Sequence, residues 1–250
     1  MGQAELEGLF SQYYTLRTQE RNDMGYIEIL KDDPYVSWEG ELVEFRLTYQ
    51  GLLLAESQKG SVQDARATHK QEIRKRFHPQ LRNLWGLHPY LKKARSVPAS
   101  GGGVTPFGTP RVDYTVPKLA QRFSRFGYNF VPLVIRDMDL LCSVDILFLR
   151  SDPPGSVLSA GDIDNRLKTL FDGLIVPREL SQVGEYTAPT EDEDPFYCLL
   201  EDDSLITKVS VETDTLLAPV SHPANPADAR VVVTVRIKPS SGRYDTLGYS

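Results

Sequence analysis

An α/β (α+β) fold, a mixed sheet packed with helices, is what this 250-residue sequence predicts. Two periodicities interleave along it. Apolar residues alternate from Glu41 to Gln50 and again across Val231–Ile237, while helical stripes occupy residues 62–77 and 162–174. Apolar residues make up 40 % of the chain and charged residues 25 %, ordinary globular values that argue against wholesale disorder. No run approaches the roughly 18 apolar residues of a membrane helix. The start, MGQAELEGLF, lacks the basic-then-apolar pattern of a secretory signal. Two cysteines, Cys142 and Cys198, are too few for a disulfide framework or a four-cysteine zinc site. The expectation is a soluble, cytoplasmic protein without membrane contact.

Residues 1–40 read as an N-terminal extension, with a short helix over 3–22 before the turn at Asp32-Asp33-Pro34. A main domain over 41–240 follows, and 241–250 form a tail. Its first strand sets Val43, Phe45, Leu47 and Tyr49 on one face and Glu44, Arg46, Thr48 and Gln50 on the other. A basic helix from about Val62 to Phe77 aligns Ala65, His69, Ile73 and Phe77 at four-residue spacing. Pro79 is expected to interrupt it, with Leu81, Leu84, Trp85 and Leu87 starting a second piece. The glycines and prolines of 96–117 predict a loop. Phe130 to Arg150 offers one or two strands, the clearest with Cys142, Val144, Ile146 and Phe148 on one face.

Asp162 opens the strongest helix, striped with Ile163, Leu167, Leu170, Phe171 and Leu174, and suits its N-cap. Residues 176–200, with the run Glu191-Asp192-Glu193-Asp194, read as an acidic, irregular insertion. Ser204–Glu212 reads as a strand with Val209 and Val211 inward. A connection near 214–229 leads to a last strand with Val231, Val233, Val235 and Ile237 inward.

The net charge of −6 hides an asymmetry. Lys59 to Arg136 holds 15 Lys/Arg against three acids, while both flanks are acidic. Such a basic middle suits a polyanion on one surface, the alternative being a solvated basic helix. Its candidate phosphate contacts are Lys70, Arg74, Arg76, Arg82, Arg122 and Arg125. The aromatics among them, Phe123, Phe126 and Tyr128, suit core packing better than a wedge at a branch point.

Chemistry is most legible in GDIDNRLKTLFDGL, residues 161–174. Asp164, Lys168 and Asp172 share the helix face away from the apolar stripe, and Asp162 precedes them at the N-terminus. Two carboxylates so placed can aim oxygens at one hard divalent cation, which uses few protein carboxylates beside water and substrate phosphate. A lysine one turn on can neutralise charge on a phosphodiester under attack. Glu201-Asp202-Asp203, before the next strand, can supply a third carboxylate. The same residues also suit an Asp-capped surface helix and a solvated acidic loop.

GDIDNRLKTLFDGL followed by LEDDSLITKVSVE resembles the RusA family of Holliday junction resolvases. The shared pattern is Asp-x-Asp-Asn opening a helix, a lysine four residues on, Asp-(Ala/Gly)-Leu, and an Asp-Asp pair before a strand. The resemblance spans about residues 41–238. It implies a homodimeric, Mg²⁺-dependent endonuclease, Mn²⁺ serving as well, that cuts branched DNA such as four-way junctions. It places metal-binding aspartates at Asp162, Asp164 and Asp203 and the catalytic lysine at Lys168. Asn165, Asp172 and Asp202 become supporting residues, with Asp172 pairing Lys168. Short family members carry an arginine run before the motif; SDPPGSVLSAG stands here instead. The alternative is an inactive module of the same fold that binds nucleic acid or a partner protein.

Overall fold

In a computed structural model of the chain, the residues described are 43–55, 63–88, 91–92, 114–138, 140–151, 162–186 and 188–239. The expected extension, the tail and most of the 96–117 loop lie outside them.

Four long strands build the main sheet: β1 (Val43–Leu52), β4 (Leu140–Arg150), β6 (Ile206–Thr215) and β7 (Asp228–Pro239). Their order is β1-β7-β4-β6; β7 is antiparallel to both neighbours, and β4 runs parallel to β6. One face is the core. Val43, Leu47, Cys142, Val144, Ile146, Phe148, Val231, Val233, Val235 and Ile237 are all buried there. The alternation expected for β1, β4 and β7 therefore holds. The other face carries charges of alternating sign across all four strands. Arg236 Nε donates to Glu44 at 2.6 Å, Arg236 Nη1 meets Asp145, and Lys208 Nζ reaches Asp145 at 3.4 Å.

β2 (Ser124–Arg125), β3 (Tyr128–Val134) and β5 (Phe196–Leu200) form a second sheet, with β3 parallel to β5. Phe126 (φ 55°) and Gly127 (φ 80°) turn the β2–β3 hairpin. A two-residue loop with positive φ at both positions matches the twist of its strands. Phe123 and Tyr128 are buried in the core, in line with their expected packing role. β5 corrects the sequence reading: part of 176–200 is a fully buried strand. Its signal is the unbroken apolar run Phe-Tyr-Cys-Leu-Leu, the mark of a strand covered on both faces.

Helix α1 (Gln63–Leu87) also departs from expectation, running on through Pro79. Pro79 faces outward, and the buried stripe continues from Ile73 and Phe77 to Leu81 and Trp85, each at most 2 % exposed. Burying those two further side chains is worth about 1.5–3 kcal/mol each, enough to offset the roughly 3 kcal/mol of an interior proline. Helices α2 (Val116–Arg122) and α3 (Asp162–Asp172) complete the domain. Val209, expected inward, is 47 % exposed because β6 is the last strand of its sheet and little core reaches beneath it. No helix among the described residues is long and apolar enough to cross a membrane.

Candidate functional site

α3 forms for the reason its periodicity gives: Ile163 and Leu170, with Leu174 just beyond, are buried, and Leu167 and Phe171 pack half-buried against the core. Its far end is fastened to α1. Arg74, 1 % exposed, donates from Nε to the Ile175 carbonyl at 2.9 Å and from Nη2 to the Asp172 carbonyl at 2.6 Å. Gly173 lets the two elements touch, since a Cβ there would lie 2.4 Å from Ile73 Cγ2.

On the outer side of α3, Asp164 and Lys168 are exposed. Among the described residues neither makes an ion pair or side-chain hydrogen bond. Asn165 is half-buried, and its carbonyl accepts from Thr169 Oγ1 at 3.0 Å. The side chain of Asp162 lies outside the described residues. Contrary to expectation, Asp172 does not pair with Lys168; its carboxylate meets Lys70 Nζ at 2.5 Å. Lys70 is largely covered while Lys168 faces solvent, so the tertiary partner wins over the one a helical turn away.

The second acidic cluster is a built turn. Ile175 pairs in parallel with Leu200, and Val176 N–H donates to the Leu200 carbonyl at 3.0 Å. Two chain segments thus leave side by side, one toward Arg178 and the other toward Asp202 and Asp203. Asp202 caps a 3-10 turn (Asp203–Leu205) by accepting from Ser204 N–H at 2.9 Å, with Leu205 buried beneath. Arg136, in the 3-10 turn just after β3, braces it: its N–H donates to Glu201 Oε2 and its guanidinium to Ser204 Oγ, both at 2.9 Å.

Arg178 Nη2 then bridges the aspartates, meeting Asp202 Oδ2 and donating to Asp203 Oδ1 at 3.1 Å. Desolvation pushes the Asp202 carboxyl up, but the hydrogen bonds from Ser204 and the nearby Arg178 outweigh it and hold it at about 2. The pair is unequal. Asp202 is 21 % exposed with its oxygens engaged, whereas Asp203 is 60 % exposed and keeps Oδ2 open. Open, oxygen-only carboxylates at Asp164 and Asp203 are the donors a hard divalent cation takes, and Asp202 is already spoken for. No hydrogen bond or ion pair joins Asp164 or Lys168 to the Asp202–Asp203 turn. Nor do any three His, Cys, Asp or Glu side chains among the described residues sit close enough together to hold a metal ion.

No protein-family model, curated protein or solved structure matches this chain.

The expected phosphate contacts fare unequally. Arg74 is a correction: it is buried and holds backbone carbonyls, so it is closed to nucleic acid. Lys70, Arg82 and Arg122 are in ion pairs with Asp172, Asp192 and Asp137. Arg125 reaches the Pro177 carbonyl at 3.4 Å and lies 6.0 Å from the Phe123 ring. Arg76 is exposed and unpaired among the described residues, on a groove of about 510 Å³ shared with Tyr49, His69, Glu72, Lys75 and Tyr186.

Three residues at the acidic turn escaped the sequence reading. Ser204 has a local signal, Asp-x-Ser being a capping pattern. Arg178 and Arg136 have none, because long-range pairing brings them to the site.

Proposed function

We propose that this protein is a metal-dependent DNA endonuclease of the RusA type, acting in the cytoplasm as a homodimer on four-way junctions or related branched DNA. The observation that carries the reading is that Asp164 and Lys168, within GDIDNRLKTLFDGL, stand open and unpaired on one face of a firmly anchored helix. Packing gives neither a task, so their chemistry is left for a ligand. Asp162, Asp164 and Asp203 would hold Mg²⁺, or Mn²⁺ in its place. When bound, the cation supplies an activated water and charge neutralisation at the scissile phosphate. Lys168 presents its ammonium one turn from Asp164, where it draws in the phosphodiester and offsets its negative charge. Asp202 and Ser204 fix the backbone beneath Asp203, and Asn165 and Asp172 support the helix.

Purified protein with a labelled four-way junction, a matched duplex and a flap, in Mg²⁺, Mn²⁺ or EDTA, tests it. Paired cuts in the junction that need metal and vanish in Asp164→Asn are the expected result. Cutting of flaps alone moves the substrate and keeps the site.

A second reading, an inactive module that binds nucleic acid or a partner protein, draws on one observation, which weighs toward the protein. The cations of α1 are largely neutralised within the fold, Lys75 by Glu193 and Arg82 by Asp192. Junction binding without cleavage in either metal establishes that reading and overturns the enzyme.

A further inference from the structure

β6 ends the main sheet, and among the described residues no strand lies along its outer edge. The strand is ten residues long and keeps regular register with β4 from Lys208 to Thr215. It contains no proline. A regular edge of this length presents a row of unpaired N–H and C=O groups, which proteins normally cover, bend or shorten. Here Thr207, Lys208, Val209 and Ser210 are exposed, and Val209 stays open on the sheet's apolar side, where it is paired with Val144 of β4.

The sequence of the strand mirrors itself about Ser210. Val209 and Val211 flank it, Lys208 and Glu212 come next, and Thr207 and Thr213 follow. Opposed residues in an antiparallel pair share a face and interact directly. A two-fold axis at Ser210 therefore sets valine against valine, threonine against threonine and lysine against glutamate. Moving the axis to Val211 keeps a Lys208–Asp214 and a Thr207–Thr215 pair but sets Val209 against Thr213 and Glu212 against Ser210, so the valine pair is lost and Glu212 has no cation opposite. The outer face adds an independent argument. Its charges alternate Glu44, Arg236, Asp145, Lys208 from β1 to β6, and the next position across the edge calls for an acid. Glu212 of a second copy fills it.

We propose that β6 pairs antiparallel with β6 of a second copy of this chain about Ser210, joining the two four-stranded sheets into one. The proposal rests on the two-copy part of the reading above and names its surface. Such an interface is isologous, each half contributing the same residues. Ile206 stands four residues from the axis, so the two strand starts lie about 26 Å apart along the ladder, at about 3.3 Å per residue. Asp203, three residues before each strand, is carried to opposite ends of the shared sheet.

Sedimentation velocity over a concentration series tests this on the intact chain. Lys208→Glu and Glu212→Lys each weaken the dimer about tenfold or more, because like charges then face each other twice. The double exchange, Lys208→Glu with Glu212→Lys, restores wild-type affinity to within about threefold. Lys208→Glu also sets an acid near Asp145, so a melting curve accompanies each variant. Ser210→Cys supplies a second readout: mild oxidation links two copies, while Thr215→Cys does not. The native Cys142 and Cys198 are buried and stay silent. A wild-type monomer at every concentration, or a dimer indifferent to both charge reversals and not linked through Ser210→Cys, overturns the proposal. Neither readout uses metal or DNA, so such a failure leaves the cleavage experiment to decide the enzymatic reading separately.

Discussion

The run Glu191–Asp194 and the set Asp164, Asp202 and Asp203 are alike as sequence, and the fold treats them in opposite ways. In the first, Asp192 takes Arg82, Asp194 takes Asn129, and Glu193 pairs with Lys75 at 2.8 Å while closing a capping box with Thr190. In the second, only Asp202 is fully engaged, and Asp164 and Asp203 keep open oxygens. Acid density is therefore a poor guide to a site. A carboxylate that an anchored backbone presents without a partner is a better one.

The contrast breaks first at Asp164. Asp164→Asn should cost about a thousandfold in metal-dependent junction cleavage, the scale of losing a group that stabilises developing charge. Its unfolding free energy should stay within about 0.5 kcal/mol of wild type in denaturant titration, as expected of an exposed unpaired position. Arg74 and Arg76 make a parallel contrast among the cations. Arg74→Ala leaves two carbonyls without a donor and opens a cavity, and should destabilise by about 3 kcal/mol. Arg76→Ala should leave stability unchanged and flatten the salt dependence of DNA binding by about one unit.

Glu193→Gln comes next, at about 1–2 kcal/mol of stability with no change in cleavage, since it weakens a partly buried ion pair and a cap. Arg178→Ala should tighten Mn²⁺ binding, read by calorimetry, about two- to fivefold, because an exposed guanidinium no longer competes for Asp203. Weaker binding would show instead that Arg178 orients that carboxylate.

The smallest effect is a slope with pH. His78 Nδ1 accepts from Tyr197 N–H at 2.9 Å, so its proton sits on Nε2, 2.9 Å from the Asp192 carbonyl. Burial lowers the pKa of His78, and burial lowers that of His69 as well, against the opposing pull of Glu72. The unfolded chain therefore takes up protons first. Stability should be complete above about pH 6.5 and decline as pH falls toward the lower folded values. Chemical denaturation at a series of pH values checks this, and His78→Gln should reduce the slope.

Much of this was legible in advance, for physical reasons. β1, β4, β7 and α3 each bury one face against one core, so period 2 and period 3.6 survive in their sequences. β5 is buried on both faces, has no alternation to read, and follows an acidic run that disguises it. α1 outlasts Pro79 because tertiary burial outweighs a local penalty. Asp164, Lys168 and the Asp202–Asp203 pair are named by local motif. Arg178 is not, since only the pairing of Ile175 with Leu200 carries it to them.

That pairing has a consequence for how the chain tolerates change in length. Where Arg178 and Asp203 stand relative to each other is set by two short segments leaving the Ile175–Leu200 crossing together. The intervening residues, about 179–195, run out and back along α1, held to it through Glu185, Asp192 and Glu193, and the Leu180–Gln182 turn carries no buried side chain. Insertions or deletions at the exposed Leu180–Gln182 turn should therefore be absorbed locally. Homologous chains should vary there in length while holding the crossing, and the acidic turn beyond it, in fixed register.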